Sequence, residues 1–371
     1  MPAVAFYISG HGFGHASRQT EIIRALRRRR PDVQVAIRTP APRWMFDRSL
    51  GERCDFEAIQ TDTGMVQRDS LTIDVAASIV RARDFHRSLD ARAEAEAARL
   101  TVEPVDLVVG DIPPLASAAA ARAGVPAVVV GNFTWDWIYA GYEETTELAP
   151  ALVDTIREAY ASADQAWRLP LHGGFETFDG DRLVDIPLVA RRSERSPADV
   201  RRQLGLPTDR ILVLCAFGRY GVGPIDWVRL SELRDCHTVA TTGGPAPMAE
   251  EAPSCAVTTL DEAWMAQQAI AYEDLVAAVD VVATKPGYGI VSECAANGTA
   301  MIYTERGCFP EYDVLVAGME GLLRTAFIER DDLFAGRWQA SIERALAQPL
   351  PATPPLDGAE VAARMIDARL P

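Results

Sequence analysis

The 371-residue chain is short of basic charge, of paired cysteines and of long apolar runs, and each shortage excludes something. Lys plus Arg total 37 against 52 Asp plus Glu, so the formal net charge is 37 − 52 = −15. A polyanion such as DNA, or a phospholipid surface, is repelled on average, and nucleic acid is not expected as a partner. The six cysteines, Cys54, Cys215, Cys236, Cys255, Cys294 and Cys308, stand far apart with no C-x-x-C pair. That spacing argues against a zinc site or a disulfide framework, and for small core residues in a reducing compartment. No apolar stretch is long enough to cross a bilayer, and the N-terminus enters a strand pattern directly, without a basic region or cleavage-like site. A soluble cytoplasmic protein is expected.

What the chain does have is alternation. Short β-rich runs at Val4 to Ile8, Val33 to Ile37, Asp106 to Val109 and Ala127 to Val130 are separated by helical patterns, among them Leu115 to Ala123, closed by Gly124. Uninterrupted apolar strands linked by helices imply a parallel sheet covered on both faces. Ser196-Pro197 opens a helix with Asp199 placed as a capping-box acid, and the rhythm then restarts at Ile211 to Leu214, Thr238 to Thr241, Ala256 to Leu260, Val281 to Ala283 and Met301 to Tyr303. The expected fold class is α/β, two doubly wound Rossmann-like units in tandem: residues 1–190, then 191–356, with a last amphipathic helix at about 357–371 that can cross back onto the first. Arg27 to Arg30 read as a solvated helix end where cations favour the dipole.

Two of only five histidines fall in the first turn after the first strand, in GHGFGH at 10–15. Gly10, Gly12 and Gly14 allow a tight turn at the carboxyl edge of the sheet, where open α/β folds bind ligands. The spacing departs from the dinucleotide fingerprint, and Arg38 stands after the second strand in place of a ribose-binding acid. A histidine held at such an edge is a natural general base, which makes His15 and His11 candidates. Asp111 ends the strand pattern at 106–110, where it could orient an imidazole or cap the helix after Pro113-Pro114.

The second unit carries KPGYGIVSE at 285–293 between a buried strand and a helix. Free N–H groups at that helix start, with Lys285, Pro286, Gly287, Tyr288 and Gly289, suit a diphosphate, and Glu293 about one turn in suits the two hydroxyls of a ribose. Gly218 and Arg219, after the first strand of this unit, form a second loop able to meet a phosphate.

GHGFGH together with KPGYGIVSE resembles the two-lobed nucleotide-sugar glycosyltransferases of the GT-B fold, such as the peptidoglycan N-acetylglucosaminyltransferase and the plant glucosyltransferases. A closer similarity is to the glycosyltransferase-like N-terminal half of L-arabinokinase, through GHGFGHASR (10–18), DTGMVQRDSLTID (62–74), GNFTWDWIYAGY (131–142), DIPLVARR (185–192), KPGYGIVSE and GAEVAA (358–363). No kinase portion follows, so a free-standing version of that half is expected. The resemblance implies donor binding in the C-terminal unit, acceptor binding in the N-terminal unit and chemistry between them. It implies His15 as the histidine of the first loop, Glu293 as the ribose acid, and Glu311 and Tyr312 near the donor sugar. Ile290 and Glu311-Tyr312 depart from the usual hydroxyl and acid-glutamine forms.

Gly12, Phe13, Gly14, Asn132, Trp135 and Asp136 are the expected acceptor contacts, with Thr61 to Asp69 as a flexible acceptor loop carrying Asp62, Gln67 and Arg68. The leading expectation is a glycosyltransferase that moves a sugar from a UDP-sugar to an acceptor hydroxyl, inverting and independent of metal, with the UDP-sugar as co-substrate and no other cofactor. The alternatives are a non-catalytic sugar or nucleotide-sugar binding module and a nucleotide-sugar epimerase.

Overall fold

In the computed structural model, which describes residues 1–51, 54–218, 221–242 and 256–371, the chain divides into two compact units. The first comprises Met1–Val66, Asp74–Ala190 and Pro355–Pro371, and the second comprises Gln67–Ile73 and Arg191–Pro354.

The first unit is built on a seven-stranded sheet. Its strands are β1 (Ala3–Ile8), β2 (Gln34–Arg38), β3 (Asp55–Glu57), β4 (Leu107–Asp111), β5 (Ala127–Phe133), β6 (Gln165–Gly173) and β7 (Leu183–Asp185). They run parallel in the order β3-β2-β1-β4-β5-β6-β7. β1, β4 and β5 are buried along their whole length, as continuous apolar runs require when helices cover both faces. Gly124 ends the helix Pro114–Ala123 in the left-handed region at φ +67°, where a Cβ would clash with its own backbone. Asp111 does not cap that helix, whose N-cap is Pro113.

The last helix, Gly358–Asp367, packs on the helix Gly14–Arg29 through Ala359, Ala362, Ala363 and Ile366. The arginine run at the end of helix Gly14–Arg29 is therefore not simply solvated. Arg28 pairs with Glu360 at 2.6 Å, Arg29 and Arg30 pair with Asp367 at 2.5 and 2.9 Å, and Arg27 donates to the Leu50 carbonyl.

The second unit holds a six-stranded sheet: β8 (Ile211–Ala216), β9 (Cys236–Thr241), β10 (Val257–Leu260), β11 (Val281–Thr284), β12 (Ala300–Tyr303) and β13 (Thr325–Phe327). Its order is β10-β9-β8-β11-β12-β13, again parallel. The helix Pro197–Gln203 forms as the Ser-Pro start requires, but Ser196 makes no side-chain cap and Asp199 bonds Arg202 instead. Cys215, Cys236 and Cys294 are buried, whereas Cys308 is exposed and Cys54 half-buried; Cys255 lies outside the described residues.

Segment 67–73 is a small hairpin, bridged at Gln67 and Ile73, that sits in the second unit. Leu71 is buried in that unit's core, Ser70 Oγ donates to the Phe217 carbonyl, and Ser70 N donates to that of Gly221. The expected acceptor loop over Thr61 to Asp69 is thus divided: residues through Val66 belong to the first unit and Gln67 onward to the second. No helix among the described residues is long and apolar enough to cross a membrane.

Candidate active site

β1 and β4 are neighbours in register, with Ile8 opposite Asp111. The turn after β1 therefore brings the start of helix Gly14–Arg29 over the end of β4. On that helix His15, Arg18 and Gln19 share one face, at spacings of three and four residues. All three converge on Asp111, which is fully enclosed. His15 Nδ1 lies 2.8 Å from its Oδ1, Arg18 Nε donates to Oδ2 at 2.6 Å, Gln19 Nε2 donates to Oδ2 at 2.9 Å, and Arg18 Nη2 also pairs with Oδ1. Burial by itself pushes the Asp111 carboxyl up, but the Arg18 charge and then His15 more than offset it, holding the group down at about 2.

An ionised carboxylate only accepts, so the His15 proton belongs on Nδ1 and Nε2 is the ring atom able to take a proton. Arg18 Nη2 also approaches Nδ1 at 2.9 Å, yet Arg18 already has its acceptors in Asp111 and in Asn132 Oδ1 at 2.7 Å. Arg18 was missed in the sequence, although it closes the GHGFGHASR segment three residues after His15.

His11 is held the other way round. Its Nδ1 accepts from the Met65 backbone N–H at 3.2 Å, which leaves the proton on Nε2 and makes the ring a donor. Gly64, at φ +56°, allows this approach, because a Cβ there would stand 2.9 Å from His11 Nδ1. The two rings lie 6.4 Å apart. The same segment fixes the floor: Thr61 Oγ1 donates to the Ile8 carbonyl at 2.9 Å, and the Trp135 indole donates to buried Asp62 at 2.9 Å. Desolvation raises the Asp62 carboxyl above its ordinary range, with Ser9 and Trp135 hydrogen bonds opposing.

The expected acceptor residues separate. Asn132, Trp135 and Asp136 are each 1% exposed: Asn132 bonds Arg18, Trp135 stacks on Tyr139 at 5.6 Å, and Asp136 pairs with Arg157 at 3.2 Å. Trp135 also meets the His11 ring edge to face at 5.4 Å, and Asn132 reaches His15 through Arg18. Gly12 (φ +80°) shapes the loop, Gly14 opens the helix, and half-exposed Phe13 meets Trp44 edge to face at 5.8 Å. Trp44, 46% exposed, was not singled out in the sequence. Arg38 lies elsewhere, buried beside a cavity of about 780 Å³ on the β1–β2 face and tied to Asp55 and Glu103 at 2.7 and 3.1 Å.

In the second unit β11 runs through Lys285-Pro286 into helix Tyr288–Asn297, whose N-cap Gly287 has no side chain to offer the N–H groups of the first turn. Pro286 and Tyr288 are buried, and Gly289 and Ile290 half-buried. Gly218 adopts φ +68° after β8, and Arg219 lies outside the described residues. Glu293 is buried and accepts from Arg191 Nε at 2.7 Å, while Arg191 Nη1 also reaches Glu273 at 3.2 Å. Glu311 is likewise buried, paired with Arg306 at 2.7 Å, and Tyr312 is half-buried, its hydroxyl pushed up to about 12 by that burial. Both expected donor carboxylates thus carry an arginine partner that the sequence reading left unassigned.

Lys285 is the only lysine in the chain; the other 36 of the 37 basic residues are arginine. Burial drives its ammonium well below a lysine's ordinary range, Arg306 adds to the effect, and Glu311 opposes it. A count of lysines would have singled it out.

No family model matches the chain. It is 32% identical over 368 residues to L-arabinokinase of Arabidopsis thaliana, a match that covers 98% of this chain and 34% of that protein. The chain thus spans about a third of the length of the curated relative it matches. Its fold is that of solved GT-B glycosyltransferases. The glycotransferase of kitacinnamycin superposes with a TM-score of 0.65 at 16% identity over 100% of both chains. UGT2 of Phytolacca americana, complexed with UDP-2fluoro-glucose and pterostilbene, gives 0.59 at 13% identity, covering 100% of this chain and 94% of that one.

Proposed function

We propose that the chain is a glycosyltransferase that moves a sugar from a nucleoside diphosphate, UDP by analogy with the ligand of the Phytolacca neighbour, to an acceptor hydroxyl. The observation that carries the reading is the buried, ionised Asp111 on Nδ1 of His15, which leaves Nε2 to take the acceptor proton. In one displacement the acceptor oxygen gives its proton to His15 Nε2 and bonds to the anomeric carbon. The bond from that carbon to the diphosphate breaks, and the nucleoside diphosphate departs. Attack opposite the leaving group inverts the anomeric centre.

The leaving diphosphate takes its neutralisation from the N–H groups and positive dipole end of helix Tyr288–Asn297 and from Lys285, so the step calls for no metal. Arg191 orients Glu293 toward the ribose, and Phe13 with Trp44 offers the acceptor an apolar edge. A cytoplasmic location accords with free Cys54, Cys215, Cys236, Cys294 and Cys308.

The test is release of UDP from a panel of UDP-sugars, with and without acceptors. A parallel arm acylates the single lysine and maps it by mass spectrometry. UDP is expected to protect Lys285, and no protection by any nucleoside diphosphate overturns the donor assignment. A second reading, a sugar or nucleotide-sugar binding module, draws on the commitment of both Glu293 and Glu311 to arginines. Protection of Lys285 without release of UDP under any condition would favour it.

A further inference from the structure

Arg306, Glu311 and Lys285 gather at the start of the ten-residue helix Tyr288–Asn297, beside its positive end. Arg306 is 6% exposed. Its Nη1 reaches Glu311 at 2.7 Å and the Pro286 carbonyl at 3.4 Å, and it stands 3.9 Å from where a Cβ on Gly287 would lie. Its guanidinium carbon stacks over the Phe309 ring at 4.2 Å, and its Nε, deep in the protein, has no hydrogen-bond partner among the described residues. A buried guanidinium with an unused donor at a helix N-terminus is costly unless an anion completes it.

Resting on the donor reading above, we propose that Glu311 is a built-in counter-ion, which the anionic group of the incoming ligand displaces from Arg306. Arg306 then joins Lys285 as a ligand of that anion, a phosphoryl group or a carboxylate on the donor sugar. Glu311 has somewhere to go: it opens helix Glu311–Met319, where a carboxylate is stabilised by the free N–H groups and the dipole. The use of lysine once, amid 36 arginines, fits the same device. An ammonium is a compact charge that can lose its proton when no anion is present, whereas a guanidinium cannot. No bond is made or broken; the exchange is of ion-pair partners only.

The opposite signs of two variants test it, by calorimetry with inorganic pyrophosphate, UDP, UDP-glucose and UDP-glucuronate. Arg306→Gln is expected to weaken the anion about tenfold, and Glu311→Gln, by freeing Arg306, to tighten the same ligand by about as much. If Arg306→Gln weakens all four probes, the anion is the phosphoryl group; if it weakens UDP-glucuronate alone, the anion is the sugar carboxylate. A Glu311→Gln protein that binds its ligand no tighter than the original overturns the exchange, and so does an Arg306→Gln protein that binds all four as before. Should Glu311→Gln fail to fold because Arg306 is left buried and unpaired, the double variant Arg306→Met, Glu311→Leu decides. Loss of anion binding with an unchanged melting temperature supports the proposal, and unchanged binding overturns it. A wild-type chain that binds none of the four probes strikes the donor reading itself, whereas the variant outcomes strike only this exchange.

Discussion

The two units solve the burial of charge in different ways. In the first, one carboxylate, Asp111, is shared by His15, Arg18 and Gln19, and its charge is matched by a single guanidinium. In the second, Glu311 pairs with Arg306, Glu293 shares Arg191 with Glu273, and Lys285 stands beside Arg306 with its ammonium disfavoured by burial. The difference teaches what each arrangement is ready for. A saturated carboxylate fixes one tautomer and one direction of proton transfer, while a buried guanidinium with an unused donor is ready for a negative ligand.

The comparison breaks first at His15. Replacement by alanine should lower transfer by about 10²–10⁴-fold and leave the affinity for UDP nearly unchanged, read by steady-state kinetics and calorimetry together. Equal loss in both measurements would mean that the two units do not divide the work as described. The mirror experiment is Lys285→Met, for which UDP binding should fall about tenfold, or about 1.4 kcal/mol, with the first unit's melting unaffected. A variant that binds UDP as well as the original removes Lys285 from the anion site.

Acid sharpens the contrast by acting on the first unit. His86 is buried against Phe85, its Nδ1 bonded to the Ala82 carbonyl, and burial lowers its folded value from 6.5 to about 4. Between those limits the unfolded chain takes up a proton that the folded chain refuses. Stability is therefore full above 6.5 and falls, by on the order of 3 kcal/mol, as pH drops toward 4. Thermal melts near neutrality and at about pH 5 measure the loss, and His86→Leu should flatten it; a variant as acid-sensitive as the original assigns the effect elsewhere. The smallest effect is expected from Gly64→Ala. A side chain at φ +56°, 2.9 Å from His11 Nδ1, should cost about 1–2 kcal/mol and lower the melting temperature by a few degrees.

Much of the fold is legible in the amino-acid sequence. β1, β4, β5, β8 and β11 announce themselves as unbroken apolar runs, and the carboxyl ends of such strands are where His15, Asp111 and the Lys285 turn had to fall. The arginines were not legible. Arg18, 93 residues from Asp111, and Arg191, 102 residues from Glu293, read locally as ordinary helix or loop cations. Only the folded chain supplies the partner. Leu71 was hidden for the opposite reason: two apolar residues, Leu71 and Ile73, in a short polar segment give too little periodicity to read, yet Leu71 is buried in the core of the second unit.

The docking of helix Gly358–Asp367 on helix Gly14–Arg29 also orders events during synthesis. The ribosome finishes every residue of the second unit before it releases the segment that covers Ile366's seat on the first. The nascent N-terminal portion therefore carries an apolar strip without its native cover through more than 160 residues of further translation between Arg191 and Pro354.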